Sequence, residues 1–218
     1  MLTTYDTALT AYRSAFDEMG VQDAPAPVVA EVCRRMNLPD RYVLFVGRLV
    51  AQKGVAGLLD ALAGTEIPLV LVGDGPLMPT LVRQARARGS EGRMRFLGRL
   101  PVAQMRAIYR GAELLALPSL AEGMPFVVLE AAAAGLAVVA TRVEGIEEVV
   151  QDGVTGRIVP IGDGAALKEA ICTLFADPER ARRLGEAARQ RVAAKFSWEA
   201  VAKTTADAYR AVIDLHGR

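Results

Sequence analysis

Six short apolar runs, rich in β-branched residues or leucine, alternate with segments of helical periodicity through most of this chain. The runs lie at 42–46, 69–72, 94–97, 113–117, 137–141 and 155–159. Helical patterns fit between them at 55–63, 77–88, 102–110, 125–134 and 146–151, and continue after the last run at 165–175, 178–194 and 198–215. Strand, helix, strand repeated in this way implies right-handed crossovers and a parallel sheet covered on both faces. The expected fold class is therefore α/β: a doubly wound, Rossmann-like parallel sheet with a helical C-terminus.

Before the first run, Tyr5, Leu9, Tyr12, Phe16 and Met19 recur at helical spacing and predict an amphipathic helix. Asp-Ala-Pro-Ala-Pro at 23–27 then reads as a short stiff linker. The chain divides on this reading into a helical segment and linker over 1–40 and one α/β domain over 41–218.

Composition narrows the function. The 218 residues, 52% of them hydrophobic, suffice for one large domain or two small ones with a proper core. A formal net charge of +1 argues against a nucleic-acid binder. Cys33 and Cys172 stand far apart and in no metal-ligand spacing, which disfavours a disulfide framework or a zinc site and suits a reducing cytoplasm. The N-terminus has no basic start leading into an apolar core, and no run approaches membrane-spanning length, so a soluble, cytoplasmic protein is expected. The arginines from Arg83 through Arg110 read as a solvated helix face rather than as a surface for a membrane or an acidic partner.

The stretch from Glu122 to Glu130, Glu-Gly-Met-Pro-Phe-Val-Val-Leu-Glu, carries the chemistry. Over 125–134 the pattern is apolar on every face, that of a helix buried all round, and Glu130 is its only charge. Burying a carboxylate is costly unless something pairs with it. Pro125 suits the first helical position and Gly135 the position just past the end. Glu122 then lies on the loop before the helix, whose free N–H groups and partial positive charge suit an anion such as a phosphate. Two carboxylates beside a phosphate cradle suggest a phosphorylated sugar or nucleotide; a purely structural alternative is an ion pair between Glu130 and an arginine elsewhere.

Ligands of open parallel sheets bind beyond the carboxyl ends of the strands. Those ends carry Gly47-Arg48 with Lys53-Gly54, Gly73-Asp74-Gly75-Pro76, Gly98-Arg99, Pro118-Ser119 with Glu122, and Thr141-Arg142. Arg48 and Lys53 on one loop, with the helix dipole, would neutralise a diphosphate without a metal. The loop from Gly47 to Gly54 is not a P-loop, because no glycine precedes Lys53 and no Ser or Thr follows it. Gly73-Asp-Gly75 lacks the third glycine of a dinucleotide fingerprint, Met78 standing in its place. The single histidine, His216, lies near the C-terminus, which excludes a Ser-His-Asp or Cys-His hydrolase within this chain.

Together these pieces resemble the C-terminal, nucleotide-sugar-binding domain of retaining glycosyltransferases of the GT-B fold, the group 1 or family 4 class. The resemblance runs from about Tyr42 to Leu215 through Phe45-Val-Gly-Arg48, Gln52-Lys53-Gly54, Leu71-Val-Gly-Asp-Gly-Pro76, Phe96-Leu-Gly98 and Leu117-Pro-Ser119. It continues through Glu122 and Glu130 in an E-x7-E motif, Val138-Val-Ala-Thr141, Asp152-Gly-Val-Thr-Gly156 and Phe196-Ser-Trp-Glu199. It implies one half of a GT-B fold, no cofactor and no tightly bound metal. Arg48, Lys53 and Glu122 would be the catalytic residues: the two cations on the donor diphosphate, the carboxylate on the sugar hydroxyls. Gly47, Gly98, Ser119, Gly123, Met124, Phe126, Val127 and Glu130 would bind the donor, Glu130 through the ribose and residues around Gly98 through the base. The diphosphate itself would assist the incoming acceptor hydroxyl.

Three departures from the family pattern stand out. Pro125 replaces a residue with an N–H at the helix entrance. Glu144-Gly-Ile-Glu147-Glu148 stands where Gly-Gly-Ile-Pro-Glu is common, adding a carboxylate near the diphosphate rim. The acceptor-holding Rossmann-like half, with its active-site histidine, has no counterpart in this sequence. The preferred reading is a donor-binding half, either a truncated piece of a longer enzyme or a chain that completes its cleft with another polypeptide or a second copy, that transfers weakly or not at all alone. A non-catalytic nucleotide-sugar-binding module and a GT-B-fold nucleotide-sugar epimerase are the alternatives. The family's last helix crosses onto the missing half, so 198–215 is expected to be covered by the helix near 5–19 or by a second copy.

Overall fold

The strands of the sheet are short, the central ones are nearly all apolar, and only the two outermost carry a charged residue, Arg95 and Arg157. In a computed structural model, which describes residues 26–197 together with 200, 202, 204–207, 209 and 210, six parallel strands are ordered β3-β2-β1-β4-β5-β6. They are β1 (Val43–Val46), β2 (Leu69–Val72), β3 (Met94–Phe96), β4 (Leu114–Leu117), β5 (Ala137–Thr141) and β6 (Gly156–Val159). β2, β4 and β5 are buried along their whole length, as a sheet sandwiched between helices requires. The expected doubly wound α/β fold is thus the observed one.

The helices are α1 (Ala26–Arg35), α2 (Val55–Leu62), α3 (Met78–Ala87), α4 (Val102–Gly111), α5 (Phe126–Ala133), α6 (Ile146–Val149), α7 (Gly164–Ala176) and α8 (Pro178–Lys195). α2 packs on α3 and α7, α5 on α8, and α1 on α4. α7 and α8 begin at Asp163 and Asp177, whose side chains accept the Ala166 and Arg180 amides and so satisfy donors a helix start leaves open. One core of buried aliphatic and aromatic residues joins the layers.

The chain winds from β1 outward to β3, then crosses back so that β4 pairs with β1 through Val43↔Leu114 and Leu44↔Leu115. The winding reverses at that pair, which opens a crevice between the loops that follow β1 and β4.

Two local expectations are corrected. Ala26 and Pro27 do not belong to an extended linker but open α1, where proline is tolerated because a helix start leaves its N–H without a partner. The helix after Glu122 starts at Phe126, with Pro125 as its cap, and is not buried all round: β5 and α8 cover it while Phe126 stays 38% exposed. The expected helix at 5–19 lies outside the described residues. Of the one expected at 198–215, the described residues from 200 to 210 are helical and the rest lies outside.

Candidate functional site

The loops after β1 and β4 are fastened to each other across the crevice. The Leu120 N–H donates to the Gln52 carbonyl at 2.7 Å, and the Gln52 side chain donates to the Ala121 carbonyl at 3.3 Å. Between them Gly54 has φ of +64°, and a Cβ there would lie 1.9 Å from the Pro118 carbonyl oxygen. Glycine alone allows both the backbone angle and the approach. Lys53, its neighbour, is thereby held against the loop after β4.

Lys53 Nζ donates to both carboxylate oxygens of Glu122, at 2.6 and 2.7 Å. Buried Ser119 donates its hydroxyl to Glu122 Oε1 at 2.5 Å. The Ser119 carbonyl in turn accepts the Thr141 hydroxyl, so the ends of β1, β4 and β5 all help fix one carboxylate. The Lys53 and Glu122 side chains are 20% and 8% exposed. Solvent screening is weaker there than for an ordinary surface pair, yet a ligand can still reach both groups.

α5 begins just beyond Glu122. Among the described residues no backbone carbonyl takes the amide hydrogens of Gly123, Met124 or Val127. The positive end of the helix therefore opens next to Glu122. Gly145, with φ of +79°, braces this turn: a Cβ there would lie 2.3 Å from the Gly123 carbonyl oxygen. Met124 and Phe126 project as exposed apolar side chains at the same rim.

Further along α5, half-buried Glu130 accepts a hydrogen bond from the Tyr109 hydroxyl on α4 at 2.6 Å. Burial pushes the Glu130 carboxyl above the usual carboxylate range, and the Tyr109 hydroxyl pulls it partly back. Tyr109 is raised well above an ordinary phenol, first by burial and then by the adjacent carboxylate. The fold therefore answers the lone charge of α5 with a tyrosine rather than with the arginine that a structural pairing suggested. Tyr109 reads in the sequence as one more apolar-face residue of α4; the signal that could have exposed it is that a buried tyrosine hydroxyl needs an acceptor.

Arg48 lies on the other arm of the β1 loop. There the Gly47 N–H donates to Val72 and the Leu49 N–H to Asp74, at 3.0 and 2.9 Å, which ties this arm to the loop after β2. Arg48 is exposed and makes no ion pair with a described residue. Gly98, after β3, accepts the Gly73 N–H at 2.8 Å. Lys53, Ser119, Glu122, Gly123 and Met124 are gathered in one place, Phe126, Val127 and Glu130 follow along α5, and Gly47, Arg48 and Gly98 lie on the β1 to β3 side of the rim. The additional carboxylate Glu147 is exposed and paired with Arg142 at the end of β5. Among the described residues no cluster of three or more His, Cys, Asp or Glu side chains is placed to hold a metal, and no helix is long and apolar enough to cross a membrane.

Comparison with known proteins gives a consistent result. The family model for glycosyl transferases group 1 matches residues 34–191. The α-maltose-1-phosphate synthase of Mycobacterium tuberculosis is 39% identical over 199 residues, covering 85% of this chain and 51% of that protein. Sucrose-phosphate synthase from Thermosynechococcus elongatus superimposes with a TM-score of 0.75 at 32% identity, over 85% of this chain and 49% of that one. Anabaena HepE, solved in complex with UDP, is similar in fold, with a TM-score of 0.80 at 24% identity over 88% of this chain and 55% of that one. The chain spans about half the length of the relatives it matches.

Proposed function

Because this chain belongs to the group 1 glycosyl transferases, we propose that it forms the half of the enzyme that holds the donor, a nucleotide diphosphate sugar, for transfer to an acceptor hydroxyl with retention of configuration. The observation that carries this reading is the Lys53, Glu122 and Ser119 cluster at the N-terminus of α5, where the winding of the sheet reverses. A cation, a helix end and a carboxylate in contact match a ligand that is anionic at one end and hydroxylated at the other.

On this reading the donor diphosphate replaces Glu122 as the partner of Lys53, with Arg48 as the second cation and the amides at the start of α5 as further donors. Glu122, released, accepts hydrogen bonds from hydroxyls of the donor sugar, and Glu130 accepts them from the ribose. The bond between the anomeric carbon and the diphosphate oxygen breaks, and its electron pair stays on the diphosphate. The acceptor oxygen bonds to the anomeric carbon on the face the diphosphate leaves, and the acceptor proton passes to a diphosphate oxygen. Lys53 and Arg48 act on the charge that grows on the leaving group, the type of interaction that lowers a barrier most. A second domain, on the same polypeptide or another, would hold the acceptor, in keeping with relatives about twice as long.

Isothermal titration calorimetry of the chain with UDP, GDP, ADP and their sugar conjugates tests the proposal. Binding of one nucleotide series, weakened about tenfold or more by Lys53→Ala and by Glu130→Ala, is the expected result. Binding to none of them, or binding that neither substitution changes, rejects it.

A further inference from the structure

Glu130 differs from Glu122 in how it is held. Glu122 has a lysine, a serine and a helix start around it, whereas Tyr109 is the one hydrogen-bond donor that the described residues give to the Glu130 carboxylate. A glutamate has several side-chain torsions, so without a contact its carboxylate would sample many directions. Tyr109 does not share that freedom. The residue is 1% exposed in the core on α4, and its hydroxyl meets Glu130 Oε2 at 2.6 Å. The bond joins two helices on the same sheet, so one carboxylate oxygen is pinned by a rigid element and the direction of the other is set.

We propose that Tyr109 is a positioning residue that makes the donor site selective for a ribose diol, by holding the Glu130 carboxylate in the orientation that accepts its hydroxyls. This rests on the nucleotide-sugar reading above and adds a determinant on α4. The hydroxyl is what matters: phenylalanine would fill the same space in the core, leave the carboxylate unpinned and still permit diphosphate and base contacts. The effect is therefore confined to ligands that carry the hydroxyls Glu130 recognises.

The test compares the nucleoside diphosphate bound most tightly by the parent with its 2′,3′-dideoxy analogue. The parent is expected to prefer the ribose form. Tyr109→Phe is expected to weaken the ribose form about tenfold and the dideoxy form hardly at all, and to add nothing in a Glu130→Ala background. Dideoxy binding by the variant also reports that the remainder of the site is folded. A second measurement needs no substitution at Tyr109: with tyrosines labelled at Cζ with carbon-13, the Tyr109 signal is expected to move when the ribose form binds and to stay in place with the dideoxy form. Equal weakening of both ligands, unchanged discrimination in Tyr109→Phe, or a Tyr109 signal that responds alike to both ligands overturns the inference alone. Failure of the parent to bind any nucleoside diphosphate overturns the reading beneath it and this inference together.

Discussion

Lys53 on the β1 loop bridges both carboxylate oxygens of Glu122 on the β4 loop, at 2.6 and 2.7 Å, so the two residues neutralise each other before any ligand arrives. A diphosphate must compete with Glu122 for the lysine, and a sugar hydroxyl must compete with the lysine for Glu122. A donor carrying both groups satisfies both partners at once.

Glu122→Gln separates these roles. The variant frees Lys53 from its carboxylate, so a nucleoside diphosphate without sugar is expected to bind several-fold more tightly than to the parent. The added affinity contributed by the sugar is expected to shrink, because an amide accepts a hydroxyl hydrogen less strongly than a carboxylate. Calorimetry of the diphosphate and its sugar conjugate measures both quantities; a loss of diphosphate affinity contradicts the competition.

Removing Lys53 without its partner leaves a carboxylate that is only 8% exposed. Lys53→Met is expected to lower stability by about 1–3 kcal/mol, the range for leaving a buried polar group short of a partner, because the pair is partly solvated and Ser119 still donates to Glu122. Lys53→Met combined with Glu122→Gln is expected to recover part of that loss, since the stranded charge is gone. Urea unfolding of the two variants decides this, and an unchanged midpoint in the single variant refutes it.

Gly54 sets the approach of the two loops. Gly54→Ala brings a Cβ to 1.9 Å from the Pro118 carbonyl oxygen and places alanine at φ of +64°. The left-handed conformation alone costs roughly 1–2 kcal/mol, and the clash adds to it by forcing the loops apart. The expected outcome is a lower melting temperature together with loss of diphosphate binding, although Gly54 has no side chain to offer a ligand. Gly57→Ala, where a Cβ meets open space on α2, is expected to leave binding intact.

The burial of Glu130 predicts two opposite trends with pH. Its pKa is raised in the folded chain, so its favourable contribution to stability is fully present below the unfolded value and is lost as pH rises through the folded value. Nucleotide binding needs the ionised form and moves the other way: its acid limb is expected above the ordinary carboxylate range. Glu130→Gln keeps an oxygen for the Tyr109 hydroxyl and carries no charge, so it is expected to lose both trends while folding at least as stably at neutral pH. Titrations of stability and binding from pH 4 to 8 check the sign.

The sequence alone was enough for the order of strands and helices, the parallel sheet and the position of the E-x7-E carboxylates around a helix start. Helical periodicity and short apolar runs record local hydrogen bonding and burial, which is why β2 at Leu69–Val72 and β5 at Ala137–Thr141 fall where the runs do. Helix 146–151 proved shorter, as α6 at Ile146–Val149, because Val150 turns extended after it. Partnerships were not legible in the same way. Lys53 meets Glu122 across 69 positions, Tyr109 meets Glu130 across two helices, and Gly54 meets Pro118 across the crevice. None of these contacts is set by a local pattern: the first and third follow from how β4 returns to the side of β1 and brings together loops remote in the chain, the second from how α4 and α5 lie after folding. Which groups stand at the rim is written in the residues themselves; which of them touch was decided only when the strands and helices packed into the tertiary fold.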